Sequence, residues 1–278
     1  MFLLWLGEQI TQRGVGNGVS LIIFSGIVAG LPTALAATFE LGRQGRLSTF
    51  LILGFILLAL VVVAAIVFFE RAQRRIQVQY PKRQVGNKLY GGENTHLPLK
   101  VNTAGVIPPI FASALLLMPL TIANFSGAGA DGTTGVLGVI SSYLGHGQPL
   151  YLLLYVTLIV FFCFFYTSVV FNPKDTADNL KRNGGFIPGM RPGASTASYL
   201  DWVLTRLTVV GAAYLAVVCI IPEMLIANFS VPFYLGGTSL LIVVTVTMDT
   251  VSQIQSHLLA HQYEGLIRKS KLKGRRGT

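Results

Sequence analysis

The sequence predicts an all-α, polytopic helical membrane protein with six transmembrane helices, an N-terminal helix stub and long cytoplasmic loops. Of its 278 residues, 52% are hydrophobic and only 12% are charged, which is about half the charged fraction of an average soluble domain. The apolar residues form blocks of about 20, the length that a helix needs to cross a hydrocarbon layer of about 30 Å. Because these blocks are continuously apolar rather than alternating, they favour helices over a transmembrane β-barrel.

Residues 1–17 precede the first apolar block, and we interpret them as a helix stub followed by a cytoplasmic connector. The opening MFLLWL is too short for the apolar region of a signal peptide and has no basic residues before it. Glycines in GEQITQRGVGNG permit tight turns. A phosphate-binding loop is the alternative, but no strand precedes it and no lysine follows at the required spacing.

The predicted spans are residues 18–38, 48–69, 103–125, 149–171, 207–228 and 237–258.

The placement of basic residues predicts the orientation of the helices. All Lys and Arg residues except Arg43 and Arg46 fall on one side when the connections are assigned alternately. By the positive-inside rule that side is cytoplasmic, so topology explains part of the net charge of +10 without a nucleic-acid partner. The resulting organisation is a helix pair at 18–69, a loop at 70–102, a second pair at 103–171, a loop at 172–206, a third pair at 207–258 and a basic tail at 259–278.

Two of the predicted cytoplasmic loops are unusually long, and loops of this length are usually functional or disordered. In the first, the alternation of RRIQVQY predicts an extended, ordered hairpin. The second contains a helical stretch that is broken by Gly184 and Gly185 and followed by Arg191 among prolines and glycines. A rigid tip that presents one cation is a recognition element. A solvated turn that contains an arginine is the alternative.

The third span carries prolines that predict a weak point. Pro108 and Pro109 lie near its cytoplasmic end, where proline removes backbone donors and should kink or break the helix. Pro119 adds a second weak point. These prolines suit a helix that moves, and static packing is the alternative.

Polar residues within the spans are few. Asp249 is costly at mid-bilayer and should face protein or water. His257 and His261 would share a helix face, but no third ligand lies close in sequence, so a metal site is not indicated. Cys163 and Cys219 lie within spans and are interpreted as packing residues. The sequence contains no nucleophile elbow or paired carboxylates within spans, and therefore predicts no enzyme activity, catalytic residue or cofactor.

A resemblance to a known family rests on six segments. They are GEQITQRGVGNGVS (7–20), ERAQRRI (70–76), THLPLKVNTAGVIP (95–108), VFNPKDTADNL (170–180), PGMRPG (188–193) and VPFYLGGTSLLIVV (231–244). Together they resemble the SecY family, the channel subunits of the bacterial Sec protein translocase. The resemblance covers essentially the whole chain and is poorest in SGAGADGTTGVLG and the extreme tail. It implies that the chain corresponds to the end of helix four and helices five to ten of a ten-helix fold, and that an upstream N-terminal half completes the pore.

The resemblance also implies roles for individual residues. It assigns the apolar pore ring to Ile23, Ile110 and Ile242, with Val19 one turn before Ile23. Branched aliphatic side chains form a dewetted constriction that blocks ions and offers a passing polypeptide no hydrogen-bond partner. On periodicity alone, each of these residues is an ordinary packing residue.

The resemblance also implies residues that act in gating and in the docking of partners. The third span resembles the helix of the lateral gate, with Pro108, Pro109 and Met118. Asn87 stands where family members tend to carry a basic residue, so contact with ribosomal RNA is weakened there or shifted to Arg83. The implied docking residues for the motor ATPase SecA and the ribosome are Arg191, Lys88, Arg83, Arg74 and Arg75.

The implied function is a passive conduit for secretory polypeptides and membrane proteins at the bacterial inner membrane. The implied partners are SecE, SecG, SecA, the ribosome, signal sequences and membrane lipid. The main alternative is half of a secondary transporter, which would place polar groups at the midplane of broken helices. Here the candidates are Asp249, Thr245 and Thr247, and no repeat relates the two sets of three spans. An intramembrane enzyme is the third hypothesis.

Overall fold

A computed structural model describes residues 1–45, 48–81, 83–85, 88–90, 94–125, 148–229 and 237–274. The described residues form eight helices and four short strands. The helices are α1 (Phe2–Arg13), α2 (Gly18–Arg43), α3 (Thr49–Arg71), α4 (Ile107–Phe125), α5 (Pro149–Val170), α6 (Pro173–Arg182), α7 (Ala194–Phe229) and α8 (Gly237–Gly274). The strands are β1 (Gln73–Gln79), β2 (Arg83–Val85), β3 (Lys88–Tyr90) and β4 (Asn94–Lys100).

The helices confirm the predicted fold class. Four described segments are long and apolar enough to cross a membrane, and they correspond to the first, second, fourth and fifth predicted spans. The third predicted span corresponds to α4, whose apolar described part is the shorter stretch Ile107–Pro119. The sixth lies in α8, where Asp249 and several hydroxyl residues interrupt the apolar sequence. The four segments are Gly18–Arg43, Phe50–Arg71, Pro149–Arg182 and Ala194–Leu225.

Two helices extend beyond the predicted spans. α7 begins at Ala194, so the end of the loop predicted at 172–206 is helical. α8 continues to Gly274 through most of the predicted tail at 259–278. Both extensions mix polar with apolar residues, and hydropathy alone detects only the part of a helix that is continuously apolar.

The predicted proline break in the third span is wrong for Pro108 and Pro109. α4 begins at Ile107, so both prolines lie in its first turn, and both are fully buried. The N–H groups of a first turn have no acceptor within the helix, so proline removes no hydrogen bond there. Pro119 does lie inside α4 and is the internal weak point that remains.

The helices α3, α4, α5, α7 and α8 share one apolar core. Ile66, Ile159 and Leu215 are completely buried in it, and the ring of Phe69 stacks on Tyr214 with the ring centroids 4.5 Å apart. Cys163 and Cys219 are free, buried thiols in the same core, as predicted. Close packing of this kind is what associates helices inside a bilayer, since lipid is as apolar as the side chains.

Close backbone contacts hold α1 against α2. The Thr11 hydroxyl donates to the Gly7 carbonyl and accepts from the Gly18 N–H, both at 2.9 Å. A Cβ on Gly18 would overlap the carbonyl oxygen of Gly7, so only glycine permits this approach. Gly16, at φ +94°, turns the chain between the helices and donates its N–H to Gln253 of α8 at 2.8 Å. The connector is therefore tied to the last helix.

We expect Gly18→Ala to lower the free energy of unfolding by about 1–3 kcal/mol, because the new methyl group forces α1 and α2 apart. Gly26→Ala is the matched control, because Gly26 lies on the same helix and a Cβ added there would meet no atom within 4 Å. The control should be neutral or slightly stabilising. Thermal unfolding of the purified protein in detergent measures both, and equal stability of the two variants would contradict the close contact.

Candidate functional site

The first long loop folds as the predicted antiparallel hairpin. β1 pairs with β4 from Gln73 opposite Lys100 to Gln79 opposite Asn94. β2 and β3 form a second antiparallel pair in the same loop. The alternation noted in the sequence places Ile76 and Val78 on one face, where both are buried.

The hairpin packs against the second long loop, and we call this unit the loop platform (β1, β4 and residues 183–203). Gln79 and Phe186 exchange backbone hydrogen bonds of 2.9 and 3.0 Å. An apolar cluster lies beneath this bridge and joins the two loops to the start of α7. Its buried members are Ile76, Leu99, Ile187, Leu200 and Val203. The two loops therefore form one packed surface.

Gly184 and Gly185 end α6 and allow the second loop to meet the hairpin. Gly184 has φ +75°, which stops the helix. A Cβ on Gly185 would lie 2.9 Å from the Tyr80 ring and 3.1 Å from a methyl group of Val78. The predicted break at this glycine pair is confirmed, and it serves the close approach of the two loops.

Arg191 lies at the tip of the second loop in a backbone that is firmly held. Gly189 and Gly193 flank it with φ of +85° and +115°. The Thr196 hydroxyl, which is buried, donates to the Arg191 carbonyl at 2.9 Å. The Arg191 side chain is exposed. The geometry matches a rigid tip that presents one cation, while its role in binding stays a prediction.

The remaining predicted docking residues lie on the hairpin. Arg74 and Arg75 are exposed on β1. Arg83 and Lys88 lie in β2 and β3, and their side chains are outside the described part of the chain, as is the whole of Asn87. The pairing of β2 with β3 brings the backbones of Arg83 and Lys88 close together. The docking of SecA or the ribosome at these residues stays a prediction.

Asn102 joins the base of the hairpin to the helices, and sequence reasoning missed this junction. The side-chain NH₂ group of Asn102 donates to Glu70 Oε1 at 2.7 Å and to the Gly105 carbonyl at 3.2 Å. The side-chain oxygen Oδ1 of Asn102 accepts from the Gly105 N–H at 3.1 Å. Asn102 is only 5% exposed. Gly211 of α7 lies so close that a Cβ there would be 2.8 Å from the Val101 carbonyl oxygen. The end of α3, the start of α4 and the middle of α7 therefore meet at the hairpin base.

The predicted pore residues differ in exposure. Val19 and Ile23 on α2 are 41% and 43% exposed, whereas Ile242 on α8 is only 7% exposed. α2 packs against α8, so the structure brings these two elements together. Ile110 is partly buried on α4, whose main neighbour is α5. Ile242 thus packs against protein here, while Val19 and Ile23 present an open apolar surface.

The other candidate residues lie apart from this surface. Met118 on α4 is 65% exposed. Asp249 is exposed on α8, near enough to Glu70 for their carboxylates to repel each other. His257 is exposed, and the His261 side chain is outside the described residues. Among the residues that the structure describes, no group of three or more His, Cys, Asp or Glu could hold a metal ion.

The chain matches the family model of SecY over residues 1–251. Among curated proteins, the protein translocase subunit SecY of Rickettsia conorii is 58% identical over 273 residues, covering 98% of this chain and 62% of that protein. The subunits of Vibrio cholerae and Escherichia coli K12 are 56% and 57% identical, covering 99% of this chain and 62% and 61% of those proteins. The chain thus spans about three fifths of the length of these curated relatives.

Solved structures share the fold. A structure described as that of a protein-conducting channel superposes with a TM-score of 0.60 at 21% identity, covering 92% of this chain and 62% of that one. A second, from work on the plug domain of SecY, gives a TM-score of 0.57 at 21% identity, covering 92% of this chain and 63% of that one. At this identity the likeness shows the fold alone.

We expect Asn102→Ala to loosen the hairpin base, because Glu70 and the Gly105 N–H lose a partner in a largely buried setting. The cost should be about 1–3 kcal/mol. Hydrogen–deuterium exchange of the backbone amides at 97–105 measures the effect and should be faster in the variant. Thr103→Val is the matched control, because the Thr103 hydroxyl makes one long, exposed bond of 3.3 Å to the Lys100 carbonyl. Unchanged exchange in Asn102→Ala would show that the junction is not a constraint.

Proposed function

We propose that this chain, which belongs to the SecY family, forms the C-terminal half of a protein-conducting channel in the bacterial inner membrane. One observation carries the proposal: the identity to translocase subunits extends through nearly the whole chain, spans and long loops alike. The multi-pass helical fold supports it. The substrates are unfolded secretory polypeptides and the apolar segments of membrane proteins. The part of the relatives that this chain does not span supplies the remaining wall of the pore.

The half-exposed surface of α2 is the proposed pore lining. Val19 and Ile23 lie one turn apart on this helix and are apolar and branched. Side chains of this kind repel water and ions yet form no hydrogen bonds with a passing chain. Ile23 can meet a polypeptide without rearrangement. Because Ile242 is buried, its place in the ring with Ile110 requires α8 to shift relative to its neighbours.

The exposed face of α4 is the proposed gate toward lipid. Phe111, Leu115 and Met118 are between 50% and 65% exposed on it. An apolar signal sequence would exchange lipid contacts for contacts with this face. Pro108 and Pro109 anchor the start of the helix, so bending is assigned to Pro119.

The loop platform is the proposed docking surface for SecA and the ribosome, and SecE and SecG are the proposed membrane partners. Arg191 presents a planar guanidinium that forms paired bonds with carboxylates or phosphates. Its backbone is held by Thr196, so little conformational entropy is lost when a partner binds. SecA or the translating ribosome would supply the energy for transport.

A photo-crosslinking amino acid at Ile23 should form an adduct with a secretory polypeptide that is arrested during transport. The experiment places the chain in membranes together with the N-terminal part of a relative, so that the pore is complete. The matched control is Leu53, which is 66% exposed on α3 and should give no adduct. Active transport with no adduct at Ile23 would remove α2 from the pore wall and contradict the proposed lining.

Arg191→Gln should slow SecA-driven transport into inverted membrane vesicles by about tenfold, because one charge-assisted contact is lost. Arg182→Gln is the matched control, as this exposed arginine lies in the same loop but outside the tip. Both variants should insert and fold normally, since neither side chain packs in a core. Equal transport by the two variants would argue against a special role of the tip.

A further inference from the structure

An open groove of about 760 Å³ lies where α3 passes into β1. Ala64, Val67 and Phe68 of α3 form its apolar wall, and Arg71 and Arg74 stand at its mouth. It is separate from the Arg191 tip and from the pore-lining surface of α2. None of the roles proposed above explains an apolar wall beneath two arginines.

The floor of the groove is preformed. The Val101 N–H donates to the Ala72 carbonyl at 3.1 Å, which closes the end of the hairpin beneath the two arginines. Gly211 of α7 packs directly behind the Val101 carbonyl. A ligand in the groove would therefore meet a surface that needs no rearrangement.

The two guanidinium groups at the mouth are free to bind an anion. Both side chains are exposed, and within the described residues neither guanidinium has an ion pair or a side-chain hydrogen bond. The nearest carboxylate along the chain, Glu70, is bound through Oε1 to Asn102. Two arginines that line the same groove, one at the end of α3 and one in β1, can hold a phosphate with several charge-assisted bonds.

A stripe of exposed apolar side chains leads from the groove along α3. With the exposed Ala64 included, positions 53, 57, 60 or 61, 64 and 68 follow the three- or four-residue spacing of one helix face, and the stripe ends at Arg71. Each of the large side chains is more than half exposed. They are Leu53, Leu57, Leu60, Val61 and Phe68. The stripe is longer than a phosphate or a sugar needs and matches an acyl chain that lies against the helix.

We propose that this groove binds an anionic phospholipid, with its phosphate held by Arg71 and Arg74 and one acyl chain along the α3 stripe. The two arginines lie on the side that the basic loops assign to the cytoplasm, where anionic lipid headgroups attract basic residues next to a membrane helix. The apolar wall favours a lipid over RNA or a soluble anion, neither of which would cover it. Arg75 takes no part in this site, because successive side chains of a strand point to opposite faces and Arg75 therefore lies on the other face of β1 from Arg74.

The test uses the full-length channel complex in phosphatidylethanolamine vesicles that contain phosphatidylglycerol with a photoreactive group in its acyl chain. Labelling is mapped to the peptide that spans residues 57–74. Arg71→Gln combined with Arg74→Gln should reduce this labelling about tenfold. Arg75→Gln combined with Arg182→Gln removes the same charge from exposed sites outside the groove and should leave it unchanged. Labelling needs no transport, so the result does not depend on whether the complex conducts polypeptides.

A second variant covers the case in which the arginine substitutions disturb folding. Ala64→Phe keeps both arginines but fills the apolar wall from an exposed position on α3, where a larger side chain meets no packed core. It should reduce labelling to a similar extent. Unlabelled phosphatidylglycerol should compete with the probe, and phosphatidylcholine should not.

Three results would overturn the proposal. Equal labelling of the two double variants would show that the arginines do not select the lipid. Equal competition by phosphatidylcholine would identify an unselective lipid contact. Competition by inorganic phosphate or by RNA would show that the mouth binds soluble anions and that the stripe plays no part.

Discussion

The hydrogen bonds of Asn102 determine how the loop platform is set on the membrane helices. One buried amide group links the end of α3, through Glu70, to the turn that begins α4, through Gly105. A buried amide without partners is costly, so this side chain holds its neighbours in one arrangement. The proposed docking surface, the proposed lipid groove and the start of the proposed gate helix all adjoin this junction.

Glycines provide the second constraint, because they allow backbones to touch where side chains would keep them apart. Gly18 lets α2 lie against the Gly7 carbonyl, and Gly211 lets α7 lie against the Val101 carbonyl. Gly185 does the same for the two long loops at Tyr80. At each of these sites a side chain on the glycine would push the two segments apart. α4 is constrained differently, because Pro119 lies within its own length and removes a backbone hydrogen-bond donor there.

The basic residues of the two long loops are divided among different surfaces of the fold. The positive-inside rule predicts that these loops are cytoplasmic. The fold then separates them: Arg191 stands on a rigid tip, Arg75 faces outward on β1, and Arg71 and Arg74 close an apolar groove. The same residue type can serve the proposed docking tip and the proposed lipid groove, because guanidinium binds carboxylate and phosphate alike.

Hydropathy and local turn chemistry were sufficient to predict the helical membrane class, the hairpin and the break at Gly184 and Gly185, and charge placement predicts the orientation. These features depend on the length of an apolar run, on the distribution of Lys and Arg between the connections, or on backbone preferences within a few residues. The start of α4 at Ile107, the burial of Ile242, the Glu70–Asn102 bond and the groove below Arg71 emerged only from packing. They join residues that are distant in sequence, or depend on which side of a helix meets a neighbour, and a pattern of residue types does not contain that information.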